Sequence, residues 1–262
     1  KSYKRIFGKH IPMGLLSGTY NDIEQAKDAS FLFSTMNMMA KEHIREQFAP
    51  DEYSIIILDE CHRTGADSYQ KIIDYFKPEL LLGMSASPER GDNFDVFKLF
   101  DHNIACEIRL QQALENDLLC PFHYFGITDI DIDGEIGDIS SFSQLTSDKR
   151  VEHILERAEY YGYSGDRVKG LIFCSTKKEA SELSKKFNET GRYSTIMLCG
   201  ENSQEERESA VERLVTTNHP HKLDYIFTVD IFNEGVDIPE INQVIMLRPT
   251  ESPIIFVQQL GR

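Results

Sequence analysis

Seven short apolar runs, each followed by a polar stretch suited to a helix, constrain this chain more than any other feature. They are "SFLFST" (30–35), "YSIIILDE" (53–60), "LLLGMSAS" (80–87), "GLIFCST" (170–176), "YSTIMLCG" (193–200), "DYIFTVD" (224–230) and "QVIMLRP" (243–249). Between them, segments such as "KKEASELSKKFNETG" and "SQEERESAVERLV" place apolar residues near helical spacing. Alternating strands and helices call for parallel sheets joined by right-handed crossovers, so the expected class is α/β. Helix ends are marked as well. Ser203 with Glu206 reads as a capping box, Gly191 follows a helix ending near Thr190, and Ser252 then Pro253 puts proline at a first helical position.

The alternation breaks once, from Ile127 to Ser147, in "ITDIDIDGEIGDISSFSQLTS", which is acidic, rich in Gly and Ser and without a clear period. A domain boundary is expected there, with "DIDIDGEI" open to a short hairpin instead. The reading is two α/β lobes, 1–126 and 147–262, joined by a linker at 127–146. With 262 residues and 40% hydrophobic content, both lobes can hold a core. Because the chain starts at Lys1 and stops at "QQLGR" within a helix-like run, a piece of a longer protein is expected.

Charge argues against some partners. Lys plus Arg total 28 against 43 Asp plus Glu, a net charge of -15, and such a surface repels nucleic acid and anionic membranes. A local basic or amide-lined track can still coexist with it, giving weak, salt-sensitive binding. The five cysteines, Cys61, Cys106, Cys120, Cys174 and Cys199, form no CxxC pair, which fits thiols in a reducing compartment better than disulfides or zinc. No run approaches the ~20 apolar residues of a membrane span, and no signal peptide is visible. A cytoplasmic protein without a membrane partner is expected; the sequence sets no oligomeric state.

Polar groups gather just after the apolar runs. In "SIIILDECHRTGADS" (54–68), a run that reads as a buried strand ends in Asp59, Glu60 and His62. Open α/β sheets place ligands at the carboxyl ends of their strands. Adjacent carboxylates there suit a magnesium nucleotide site, one holding Mg²⁺ through its water shell and the other orienting or deprotonating an attacking water. Taken alone, the tetrapeptide is more readily the start of a solvated loop. Cys61 beside His62 points away from it in an extended segment and makes a poor dyad. "TMNMMA" (35–40) reads as core filling, "HPH" (219–221) as a surface turn, and "EERESAVER" (205–213) as a solvated helix face from which only Arg207 is set apart.

In order and spacing, "DECH", "SAS", "LIFCST", "TVDIFNEGVDIP" and "QQLGR" resemble the motifs of superfamily two helicases and translocases, the DEAD/DEAH-box group. "NEGVDIP", "LRPTES" and "QQLGR" are most similar to the bacterial branch near the motor subunits of type I and type III restriction enzymes. The resemblance implies two RecA-like lobes of mainly parallel sheets flanked by helices, the first incomplete, with ATP and Mg²⁺ in the cleft and nucleic acid crossing both lobes. It implies that Asp59 coordinates Mg²⁺ through water, Glu60 polarises the hydrolytic water, and His62 links the nucleotide site to the second lobe and to "SAS". Ser85 and Ser87 would transmit the nucleotide state. Gly235, Asp237 and Gln258 would approach the nucleotide, and Arg262 would be an arginine finger. Thr35, Thr176, Gly200 and Thr228 would contact the nucleic-acid backbone, DNA in preference to RNA.

The sequence also departs from that pattern. A P-loop, G-x-x-x-x-G-K-[ST], is missing from the 262 residues; "FGKH" (7–10) lacks the earlier glycine and has His10 where Ser or Thr would meet Mg²⁺. Val229 stands where threonine often precedes the motif aspartate Asp230, and Glu234 where many RNA-acting relatives have arginine. The isolated chain is therefore expected to hydrolyse almost no ATP, other domains of a parent chain being needed. Two further classes stay open: a helicase-like binding or scaffold module without catalysis, and an unrelated α/β hydrolase using Asp59 as nucleophile.

Overall fold

The computed structural model describes residues 2–8, 10–65, 67–85, 95–127, 142–229, 231–232 and 238–247. The chain divides into two compact units, Lys1–Arg109 and Leu110–Arg262. This division falls before the expected linker: residues 110–126 cluster with the second unit, where the Phe125 ring stacks on Tyr161 with centroids 4.1 Å apart. Most of the linker, including "DIDIDGEI", lies outside the described residues.

The first unit holds α1 (Ser2–Phe7), β1 (Met13–Leu16), α2 (Ile23–Lys27), β2 (Phe31–Ser34), α3 (Met36–Met39), α4 (Glu42–Arg45), β3 (Ile55–Leu58), α5 (Asp67–Tyr75) and β4 (Leu80–Gly83). β1 pairs with β2 and β3 with β4, both in parallel, as two separate two-stranded sheets. One core serves both: Leu16, Leu32 and Ile56 from the strands meet Met38, Met39, Ile44, Ile72 and Phe76. The methionine cluster is thus core filling.

Burial in this unit is one-sided. Leu58 is buried, whereas Ile55 and Ile57 of the same strand, with Leu15, Phe33 and Leu80, are exposed. The apolar run around β3 reads as covered on both faces, but only every second side chain of a strand meets the helices. Only one face of β3 packs.

The second unit holds α6 (Leu110–Glu115), α7 (Phe142–Leu145), α8 (Asp148–Tyr161), β5 (Gly170–Phe173), α9 (Lys177–Glu189), β6 (Thr195–Leu198), α10 (Gln204–Val215), β7 (Tyr225–Thr228) and β8 (Gln243–Met246). Its strands form one parallel sheet in the order β6-β7-β5-β8. β5 and β7 are buried on both faces, between a cluster built on Leu155, Ile172, Leu183 and Phe227 and one built on Leu171, Phe173, Leu214 and Ile226. The capping box of Ser203 and Glu206 is present, and Gly191, at φ 68°, closes α9 in the left-handed region.

Candidate functional site

The first candidate group grows from the ends of β3 and β4. Beyond Leu58 the backbone turns sharply: Glu60 sits in the left-handed region at φ 49°, which costs a residue with a Cβ about 1–2 kcal/mol. The turn brings the Glu60 N–H to Asp59 Oδ1 at 3.0 Å and leads into a 3-10 turn at Cys61–Arg63. The pairing of the two strands carries on past their ends, Met84 N–H donating to the Leu58 carbonyl and Cys61 N–H to the Met84 carbonyl, each at 2.9 Å.

His62 and Ser85 are thereby set side by side. His62 Nδ1 lies 3.0 Å from Ser85 Oγ and 3.3 Å from Glu60 Oε2. Asp59, Glu60, His62 and Ser85 are thus brought together, with Asp59 exposed and Glu60 partly buried. Adjacent in sequence, the two carboxylates face different surroundings, which suits different roles. Burial raises the Cys61 thiol above the usual range, with Glu60 and Asp59 adding to the shift, which disfavours the thiolate form. A hard, exposed oxygen ligand such as Asp59 fits Mg²⁺ bound through water and phosphate. Among the described residues no three His, Cys, Asp or Glu converge to cage a metal without such help.

Thr35 follows β2 as the exposed N-cap of α3, its N–H donating to the Leu16 carbonyl at 3.0 Å. In the second unit, Thr176, Gly200 and Thr228 follow or end β5, β6 and β7, which are parallel, so all three lie at one edge of the sheet. Thr176 is exposed and caps α9, accepting the Glu179 N–H at 3.2 Å. Gly200 is exposed on a loop held by Arg207, whose Nη2 donates to the Gly200 carbonyl at 2.9 Å and the Cys199 carbonyl at 3.3 Å. Thr228 differs: it is fully buried and its hydroxyl donates to the Ile231 carbonyl at 3.0 Å. With both faces of β7 covered, that side chain has no surface to offer a strand of nucleic acid. Ser87, Asp230, Gly235, Asp237, Gln258 and Arg262 lie outside the described residues.

A buried pair that the sequence did not single out, Arg150 and Glu179, stands behind Thr176 with Nη1 to Oε1 at 3.1 Å. The one visible signal was the Thr-x-x-Glu spacing of Thr176 and Glu179, which reads as a helix cap.

Parallel strands flanked by helices are the architecture of the RecA-like domains found in helicases, which this chain's structural neighbours share. Family comparison agrees: residues 1–90 match the type III restriction enzyme res subunit and residues 149–262 the helicase conserved C-terminal domain. The chain therefore carries these two domains, with relatives and structural neighbours among type I and type III restriction enzyme helicase subunits and DEAD-box helicases. Among relatives it is similar to IRC3 of Saccharomyces cerevisiae, a protein assigned to the ATP-dependent helicases, 24% identical across 97% of this chain and 37% of that one. Among solved structures it resembles a fragment assigned as an HsdR subunit of a type I restriction enzyme from Vibrio vulnificus (TM-score 0.66, 19% identity, 96% of this chain and 49% of that one). It also resembles the ATP-dependent type ISP restriction-modification enzyme LlaBIII bound to DNA (TM-score 0.64, 17% identity, 97% and 22%) and S. cerevisiae Dbp5 bound to RNA and ADP BeF3 (TM-score 0.55, 16% identity, 96% and 60%). The chain thus spans less than half the length of IRC3.

Proposed function

We propose that this chain is part of an ATP-dependent DNA helicase or translocase whose parent couples ATP hydrolysis to movement on DNA. The single observation that carries the reading is the locked group at the ends of β3 and β4: Asp59 and Glu60 on one strand end, joined through His62 to Ser85 on the next. Asp59 would hold Mg²⁺ through water, and Glu60 would orient the attacking water for phosphoryl transfer. His62 and Ser85 would carry the state of that site from one strand end to the next, a role the motif resemblance extends to Ser87. The resemblance of their motifs would further assign Gly235, Asp237 and Gln258 to the nucleotide and Arg262 to the charge that develops on a transferring phosphoryl group. Exposed Thr35, Thr176 and Gly200 grip the phosphate backbone, which positions a strand without reading its sequence.

DNA is favoured over RNA by the match of residues 1–90 to a restriction enzyme subunit and by Glu234. Five free thiols, three of them buried, support a cytoplasmic setting. The described helices include none long and apolar enough to cross a membrane.

The test uses the full parent chain. Glu60→Gln is expected to lower nucleic-acid-stimulated ATP hydrolysis by about 10²-fold or more while ATP binding persists, as for loss of a positioned general base. Unchanged turnover would remove Glu60 from the chemistry and the reading with it. Running the assay with DNA and RNA in parallel decides the nucleic acid. The isolated 262 residues should turn over almost no ATP.

A further inference from the structure

The buried pair of Arg150 and Glu179 does more than fill the core of the second unit. Glu179 uses both of its oxygens: Oε1 accepts from Arg150 Nη1 at 3.1 Å, and Oε2 accepts the backbone N–H of Ser175 at 3.0 Å. Its own N–H is received by Thr176 Oγ1 at 3.2 Å. Arg150 Nη1 also donates to the Leu145 carbonyl at 2.6 Å, the last residue of α7. Arg150 and Glu179 side chains are 2% and 1% exposed, whereas Ser175 and Thr176 between them and solvent are exposed. A surface loop of two polar residues is therefore held from beneath by a dry ion pair.

Such a pair is a costly way to add stability, since desolvating two charges can exceed their attraction and an apolar replacement is often as good. What an apolar pair cannot supply is a fixed acceptor beneath the Ser175 amide. We infer that Arg150 and Glu179 are positioning residues that set the Ser175–Thr176 loop in the shape needed to receive a backbone phosphate of the nucleic acid. This rests on the proposed function, which puts Thr176 on that strand. Glu179 fixes the loop from within α9, and Arg150 fixes Glu179 from α8, touching neither nucleotide nor strand.

The test separates the acceptor from the charge. In the 262-residue chain, Arg150→Met is combined with Glu179→Gln, which keeps an oxygen for the Ser175 N–H, or with Glu179→Leu, which does not. Thermal unfolding first establishes that each is folded. Binding of a fluorescein-labelled single-stranded 20-mer at low salt is then read by anisotropy, and Ser175 amide exchange by NMR. The Gln form should bind within about threefold of the native chain and the Leu form roughly tenfold more weakly, the size expected for one hydrogen bond lost at a charged acceptor. Ser175 should exchange much faster in the Leu form alone. Equal affinity and equal exchange in two folded variants would overturn the inference. Should neither variant fold, the native chain still decides: the Ser175 amide, on an exposed residue, must exchange as slowly as core amides of β5, and fast exchange overturns the proposal. If the native chain binds no 20-mer while Ser175 protection still divides the two variants, the anchoring of the loop holds and its nucleic-acid role falls.

Discussion

At the scale of single residues, backbone geometry does what the side chains alone would not announce. Glu60 in a left-handed conformation swings its carboxylate towards His62 while Asp59 stays exposed, and no feature of the four letters "DECH" specifies that turn. Gly83, at the end of β4, is the close-approach residue of the same group. A Cβ there would lie 2.3 Å from Phe100 Cζ and 2.9 Å from Cys61 Sγ, so Gly83→Ala forces the neighbour of His62 to move. Overpacking of this kind costs about 1–3 kcal/mol, to be seen as a lower urea midpoint with an unchanged slope. Gly200 offers the contrast. A Cβ there meets nothing within 4 Å, so Gly200→Ala should leave stability within about 0.5 kcal/mol while testing whether a strand needs close access to that loop. Equal destabilisation by the two changes would contradict the packing at β4.

At the scale of elements, the strands were legible and their surroundings less so. All seven apolar runs contain a strand, because an uninterrupted stretch of Ile, Leu, Val and Phe has no other good use in an α/β chain. β1 escaped notice: "MGLL" is four residues long, follows Pro12 and contains Gly14, whose missing side chain lets Ala26 and Leu32 pack closely. The resemblance puts Thr228 on the nucleic acid, whereas β7 is covered on both sides and buries its side chain. The partnership of Arg150 with Glu179 joins two helices across the fold, and nothing local encodes it. Caps were the most readable feature, and one carries a pH prediction. The Glu206 carboxyl is held below its usual range by the Ser203 backbone N–H first, then by the Ser203 side chain and Asn202. A group whose folded value is depressed adds stability above its unfolded value and loses it as pH falls through the folded one. In urea unfolding, then, Glu206→Gln should lie below the native chain at pH 7, with the gap closing under acid conditions below the normal carboxylate range. Ser203→Ala should cost about 1 kcal/mol at neutral pH, and a gap for Glu206→Gln that widens in acid would remove the cap from the account.

At the scale of the whole molecule, the difference between the two units sets the last prediction. The second unit closes a four-stranded parallel sheet with β5 and β7 covered on both faces, and such a body should fold by itself. The first unit buries one face of its strands and leaves Ile55, Ile57 and Leu80 exposed, so alone it should bind hydrophobic dyes and aggregate. Where the second unit begins is equally testable. A fragment starting at Ser147, the boundary expected from composition, discards Phe125 from its stack on Tyr161 and the Leu145 carbonyl that accepts from Arg150. Removing an acceptor from a buried guanidinium costs about 1–3 kcal/mol, and the aromatic pair adds about 0.5–1.5 kcal/mol. The fragment 110–262 should therefore unfold cooperatively and at a higher urea midpoint than 147–262. If the shorter fragment were as stable as the longer, the aromatic stack and the Leu145 contact would contribute nothing to the second unit.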